Sequence, residues 1–124
     1  MNTKVRLIID GRQIRAELYD TECAKKILEA LPIESKINEW GDEFYFSIGI
    51  SMPLDSTATT CVAVGDIGYW PAGEAMAVFF GKTPLSTGED PVPASEVNIV
   101  GRIIDDPAIL KTLKGARKIR IEKE

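Results

Sequence analysis

Chemistry in this chain has to come from carboxylates, two cysteines and a set of aromatic side chains, because none of its 124 residues is a histidine. Without imidazole there is no Ser-His-Asp or Cys-His nucleophile, no imidazole metal site and no ordinary proton shuttle near neutral pH. Cys23 and Cys61 lie far apart and form no CxxC pair, so zinc has no ligand set. Both read as free, small core residues in a reducing compartment, and Cys61 has no obvious base to activate it.

Among the carboxylates, Asp105 and Asp106 stand just before Pro107 and read as the start of a helix. Asp42, Glu43 and Asp66 fall at expected turns, where Asp in particular bonds to nearby backbone; a catalytic pair among them is the minor alternative. Two fragments resemble phosphate loops and fail. Gly81-Lys82-Thr83 needs a glycine where Met76 stands, and Gly68 and Gly73 are followed by Glu74 in place of lysine. A backbone cradle facing a carboxylate repels phosphate. No cofactor and no metal are expected.

What remains is aromatic: Tyr45, Tyr69, Trp70, Phe79 and Phe80, with Trp40 and Met52 near them in sequence. Phe44, Phe46 and one of Phe79 or Phe80 are assigned to the core. Tyr45 lies on the opposite face of its strand, so it is expected to point outward beside Ser47. Tyrosine and tryptophan join a broad apolar surface to a polar tip, which suits a ligand groove. The expected ligand-binding set is Tyr45, Ser47, Met52, Tyr69, Trp70, Phe80 and Thr83, with residues 81–96 as a rim.

These side chains need a scaffold, and the hydrophobic pattern supplies one. Val5, Leu7 and Ile9 alternate with polar residues, Asp10-Gly11 makes a tight turn, and Ile14, Ala16 and Leu18 alternate on the way back. The period then changes: Ala24, Ile27, Leu28 and Leu31 share one face of a short helix, started by Asp20 or Thr21 and stopped by Pro32. Strands are expected over 33–40, 43–50, 61–64, 67–70, 75–80, 97–104 and 117–122, and a second short helix over 107–114. Residues 81–96, with Pro84, Pro91 and Pro93, read as a long loop of the kind that is functional or mobile. The whole chain, 1–124, reads as a single domain.

Bulk properties narrow the partners. The formal charge of −4 gives no basic surface for nucleic acid. The cations that gather near the C-terminus are interrupted by Glu122 and Glu124 and read as a solvated face. The opening run from Met1 passes directly into a strand pattern, and the longest apolar stretch is only 75–80, too short for a leader or a membrane span. A cytoplasmic protein with no membrane contact is expected, as a monomer or homodimer.

Gly65-Asp66-Ile67-Gly68-Tyr69-Trp70-Pro71-Ala72-Gly73, followed by Val78-Phe79-Phe80-Gly81-Lys82-Thr83-Pro84, resembles the signature of an uncharacterised prokaryotic family of cyclophilin-like domains. Ile37-Asn38-Glu39-Trp40-Gly41-Asp42-Glu43 and Pro93-Ala94-Ser95-Glu96-Val97-Asn98 also fit, so the resemblance runs nearly end to end. It implies a mainly β fold: a closed, eight-stranded antiparallel cyclophilin-like β-barrel with two short capping helices.

The likeness to true cyclophilins is weaker. Val-Asn-Ile-Val-Gly-Arg-Ile-Ile-Asp-Asp-Pro-Ala-Ile, over 97–109, resembles their late strand and second helix. In those prolyl isomerases an arginine on the outer barrel wall works with Phe, Met, Gln, Trp and His on an X-Pro bond. The corresponding strand here offers only Lys36, which lacks the planar fork of donors, and the histidine and glutamine have no counterpart. By analogy of strand order, Tyr45, Ser47, Tyr69 and Phe80 fall on the comparable wall. The expectation is a binding module for a peptide or small-molecule ligand on that wall, without conventional prolyl isomerase activity. A weak or atypical peptidyl-prolyl isomerase is one alternative. Another is an accessory subunit, with a protein partner, of an amide- or lactam-hydrolysing enzyme.

Overall fold

The computed structural model describes residues 2–124, so Met1, at the head of the opening run, lies outside the described residues. Strands β1 (Thr3–Ile9) and β2 (Arg12–Leu18) form the opening hairpin, turned at Asp10 and Gly11, both at positive φ. Helix α1 (Glu22–Ala30) follows. Thr21, not Asp20, caps it, its hydroxyl accepting the Ala24 N–H at 3.1 Å, and Cys23, Ala24 and Ile27 form its buried face.

The remaining strands are β3 (Ile33–Lys36), β4 (Asn38–Glu39), β5 (Glu43–Ser47), β6 (Asp66–Trp70), β7 (Ala75–Phe79), β8 (Asn98–Ile103) and β9 (Lys118–Lys123). All pairings are antiparallel, in one sheet of 9 strands ordered β3-β9-β1-β2-β8-β6-β7-β5-β4. The two edge strands, β3 and β4, are consecutive in the chain and separated only by Ile37. One half of this stretch pairs with β9 and the other with β5, so the sheet curls into a nearly closed barrel. The stretch 33–40, expected as one strand, is thus two, and the sheet has 9 strands where the resemblance implied eight.

Strand alternation sorts side chains between interior and wall. Leu7, Leu18, Phe44, Phe46, Val78 and Ile121 point into the barrel, joined by Ala24 and Ile27 of α1 and by Leu110. Phe44 and Phe80 meet there with ring centroids 4.7 Å apart. Each of the Leu, Ile, Val and Phe side chains among them contributes about 1.5–3 kcal/mol on burial. The second helix, Pro107–Leu113, is 3-10 rather than α, capped by Asp106 through the Ala108 N–H at 3.0 Å. Asp105 does something else. It accepts the Arg15 backbone N–H at 2.8 Å and the guanidinium at 3.0 and 2.9 Å, which together hold its carboxyl below the usual range.

Residues 61–64, expected as a strand, lie outside the named strands. Their neighbourhood pairs only through an isolated bridge between Thr59 and Val97, and Val62 packs against the outside of the sheet. There it joins Ala77, Phe79 and Val97, with Tyr45, Trp70 and Ile99 partly buried against them. The barrel therefore has a second, smaller apolar cluster on its outer wall. Among the described residues, no helix is long and apolar enough to cross a membrane.

Candidate binding site on the outer wall

The outer cluster sits on three neighbouring strands, with β7 between β5 and β6. Register places Glu43 beside Phe79, Tyr45 beside Ala77, and Trp70 beside Ala75. Ala77 is also opposite Gly68. Small residues in the middle let the large rings from either side close over them. Tyr45 and Trp70 meet edge to face at 6.2 Å with an interplanar angle of 82°. Gly73 makes room for the indole, since a Cβ there would stand 2.8 Å from its ring atoms.

Two further segments complete the walls. The end of the long loop brings Pro93, Ala94 and Val97 over the sheet, and Trp70 fastens it by donating its Nε1–H to Ser95 Oγ at 2.6 Å. Gly68 admits this approach: a Cβ at that position would lie 2.9 Å from Val97 Cγ2. On the other side, Trp40 precedes a tight turn into β5. Gly41 holds φ +62° there and packs on Lys82 and Thr83, where a Cβ would meet backbone at 2.8 Å. The Asp42 N–H donates to Lys82 O at 2.8 Å and the Phe80 N–H to Asp42 O at 2.9 Å, so the turn is tied to the start of the loop.

Between these walls lies a pocket of about 110 Å³, lined by Trp40, Glu43, Tyr45, Trp70, Ala77, Phe79, Pro93, Ala94 and Val97. Its lining has one carboxyl group and no cation. Glu43 is only 7% exposed, and its buried Oε1 has no hydrogen-bond partner among the described residues. Burial pushes its pKa up to about 7. Near neutral pH the group is thus divided between a carboxylate, which only accepts, and a carboxylic acid, which can donate. The site combines aromatic faces with a single carboxyl group.

A family model described as cyclophilin-like matches residues 3–122. The chain belongs to the cyclophilin-like family. The solution structure of the hypothetical protein AF2241 from Archaeoglobus fulgidus is 34% identical, with a TM-score of 0.82 over 99% of this chain and 95% of that one. McbB, solved in complex with tryptophan, matches with a TM-score of 0.69 at 15% identity. That match covers 100% of this chain but 45% of McbB, so the chain spans less than half of McbB and shares its fold. No curated protein matches the chain.

On this cyclophilin-like barrel the residues expected to bind a ligand separate into two groups. Tyr45 and Trp70 line the pocket, and Ser47 is exposed on the same face of β5 without reaching the lining. Tyr69, Phe80 and Met52 do not lie on the outer wall; all three are in the interior cluster. The reason is strand parity. Tyr69 and Trp70 are adjacent, so only one of them can face outward, and Phe80 continues the inward row of Met76 and Val78 while Phe79 faces the pocket.

Tyr69 and Thr83 have structural partners instead. The Tyr69 hydroxyl donates to Ile50 O at 2.5 Å and accepts the Met52 N–H at 3.1 Å, drawing Met52 into the core. Thr83 is buried and not on the wall; its Oγ1 donates to Val92 O at 2.5 Å and accepts the Val92 N–H at 3.3 Å, pinning the long loop. The residue that sequence reasoning missed is Glu43. Placed at a turn by its neighbours, it is a strand residue whose parity with Tyr45 puts it on the pocket face, and that spacing was the available signal.

Proposed function

We propose that this cyclophilin-like protein is a binding module whose outer-wall pocket takes a small, flat, largely apolar molecule. One observation carries the reading: Tyr45 and Trp70 close edge to face above Ala77 and Phe79, leaving an aromatic-walled space with a single carboxyl group. Ligand sites are characteristically concave and apolar, with few placed polar groups. A volume of about 110 Å³ suits a single ring or one side chain, not an extended peptide. McbB, a barrel of the same fold, has been solved with a small aromatic molecule, tryptophan, and that agrees with the reading.

Both tryptophans of the chain line the pocket, so their signals report on it alone. In a fragment screen followed by two-dimensional NMR, single-ring compounds are expected to shift the Trp40 and Trp70 indole N–H resonances together. Compounds that bind but move resonances elsewhere, leaving both indoles still, would sink the reading. A prolyl isomerase is favoured only by the location of the pocket on the outer wall, and the lining lacks a cation to set against an X-Pro carbonyl. X-Pro exchange in a test peptide at the buffer rate, with the protein in excess, removes that second reading.

A further inference from the structure

We infer that the ligand of this pocket carries a basic nitrogen, and that Glu43 is its anchor: the site takes a small amine bearing one apolar or aromatic group. This rests on the binding-module reading and names the chemical class of its ligand.

The first argument is the state of Glu43. A carboxyl group removed from water normally finds a hydrogen-bonding or charged partner, because an unpaired one costs several kcal/mol or stays protonated. Glu43 is 7% exposed and its Oε1 is both buried and unbonded among the described residues. Nearby cations are engaged elsewhere: Lys114 pairs with Asp42 at 2.9 Å, and Lys82 with Glu89 at 3.3 Å. A partner for the ionised carboxylate therefore has to come from outside the chain, and it has to be a donor.

The second argument is what surrounds the carboxyl. The other lining residues from β5, β6, β7 and the loop are Tyr45, Trp70, Ala77, Phe79, Pro93, Ala94 and Val97, and Trp40 completes the set from its turn. None carries a charge, and the one other titratable group is the Tyr45 phenol. An anionic ligand would meet Glu43 with nothing to offset the repulsion. An ammonium group meets a carboxylate at its head and aromatic faces at its sides, an arrangement in which the ring quadrupoles add further attraction. A single carboxylate is too few ligands for a metal ion, which leaves the organic cation.

Binding has a proton balance. The raised pKa of Glu43 means that below pH 7 much of the protein holds a neutral carboxylic acid. An incoming ammonium keeps its own proton, so the Glu43 carboxyl must ionise and release one proton to solvent. The release shrinks as pH rises through 7 and vanishes well above it.

The experiment is a calorimetric titration with three probes of one shape: phenethylamine, phenethyl alcohol and 3-phenylpropanoate, with the wild-type protein and Glu43→Gln. The amine is expected to bind at least tenfold more tightly than the alcohol, with the carboxylate weakest. At pH 6, in buffers of different ionisation heat, its binding should release a proton. Glu43→Gln should abolish both the preference and the proton release, while its NMR spectrum away from the pocket stays close to wild type, showing that the fold is intact. If amine and alcohol bind equally at the pocket, the inference is overturned and the binding-module reading stands. If none of the three shifts the Trp40 and Trp70 signals at millimolar concentration, both are overturned.

Discussion

Tyr45 and Trp70 touch edge to face although their strands do not pair with each other; β7 runs between them, and its Ala75 and Ala77 are small enough for the rings to meet above it. The pocket is thus made by what β7 omits as much as by what β5 and β6 supply. Its dimensions depend on a few small residues, and its chemistry on one carboxyl group.

Gly68 is the first place to test this. Gly68→Ala puts a methyl group where Val97 Cγ2 would stand 2.9 Å away, so the end of the long loop must lift. The expected cost is about 1–3 kcal/mol in urea unfolding, typical of overpacking. Tryptophan fluorescence should change along with it, because Val97 and Trp70 share the pocket. Unchanged stability and fluorescence would mean that the contact is slack.

Ser95 is the second. Its hydroxyl accepts the Trp70 indole N–H at 2.6 Å at an exposed position. Ser95→Ala should cost little stability, about 0.5–1.5 kcal/mol for one hydrogen bond. The Trp70 indole proton should nonetheless exchange faster with solvent, and ligand dissociation should quicken. An exchange rate equal to wild type would show that packing alone holds the ring.

Glu43 makes stability depend on pH in a direction opposite to most carboxylates. Its folded pKa, about 7, lies above the ordinary 4.5, so the folded state binds more protons than the unfolded one between these values. Stability from this group is present in full below pH 4.5 and is lost as pH rises through 7. At 1.36 kcal/mol per unit the loss is roughly 3 kcal/mol. Glu43→Gln does not titrate, so it should match wild type near pH 4.5 and gain on it up to about that amount by pH 8. Parallel urea midpoints across this range would contradict the burial of the group.

Tyr69→Phe probes the assignment of Tyr69 to the interior. Losing the hydroxyl strands the Ile50 carbonyl and the Met52 N–H, at an expected cost of about 1–3 kcal/mol. Ligand affinity at the outer wall should stay within about twofold, well under the tenfold that 1.4 kcal/mol would bring. A large loss of affinity without loss of stability would return Tyr69 to the binding set.

The fold was largely legible in the sequence because alternation and turn residues are local signals. The β1–β2 hairpin, α1 and the cap at Asp106 all follow from neighbours a few positions apart. The site was less so. Tyr45 could be placed by parity with Phe44 and Phe46, but Tyr69, Trp70, Phe79 and Phe80 are adjacent pairs, and deciding which member faces inward needs the cross-strand register. Glu43 was obscured for another reason. Its burial is produced by the β7 strand and the outer cluster, which are remote in sequence, while its immediate neighbours Gly41 and Asp42 advertise a turn.

The closing stretch β3–β4 has one more effect. Because β5 pairs with β4 and β7, β7 with β5 and β6, and β6 with β7 and β8, each strand under the pocket already has hydrogen-bonded neighbours on both sides. Recognition by strand addition, in which a peptide extends a sheet edge through its own backbone, would have to use the short edge strand β4 or the end of β5 beyond it, not the strands at the centre of the pocket floor. On the proposed reading, a ligand seated on the pocket floor meets side chains before backbone, and exchanging those few side chains should retarget the barrel without touching its hydrogen-bonded frame.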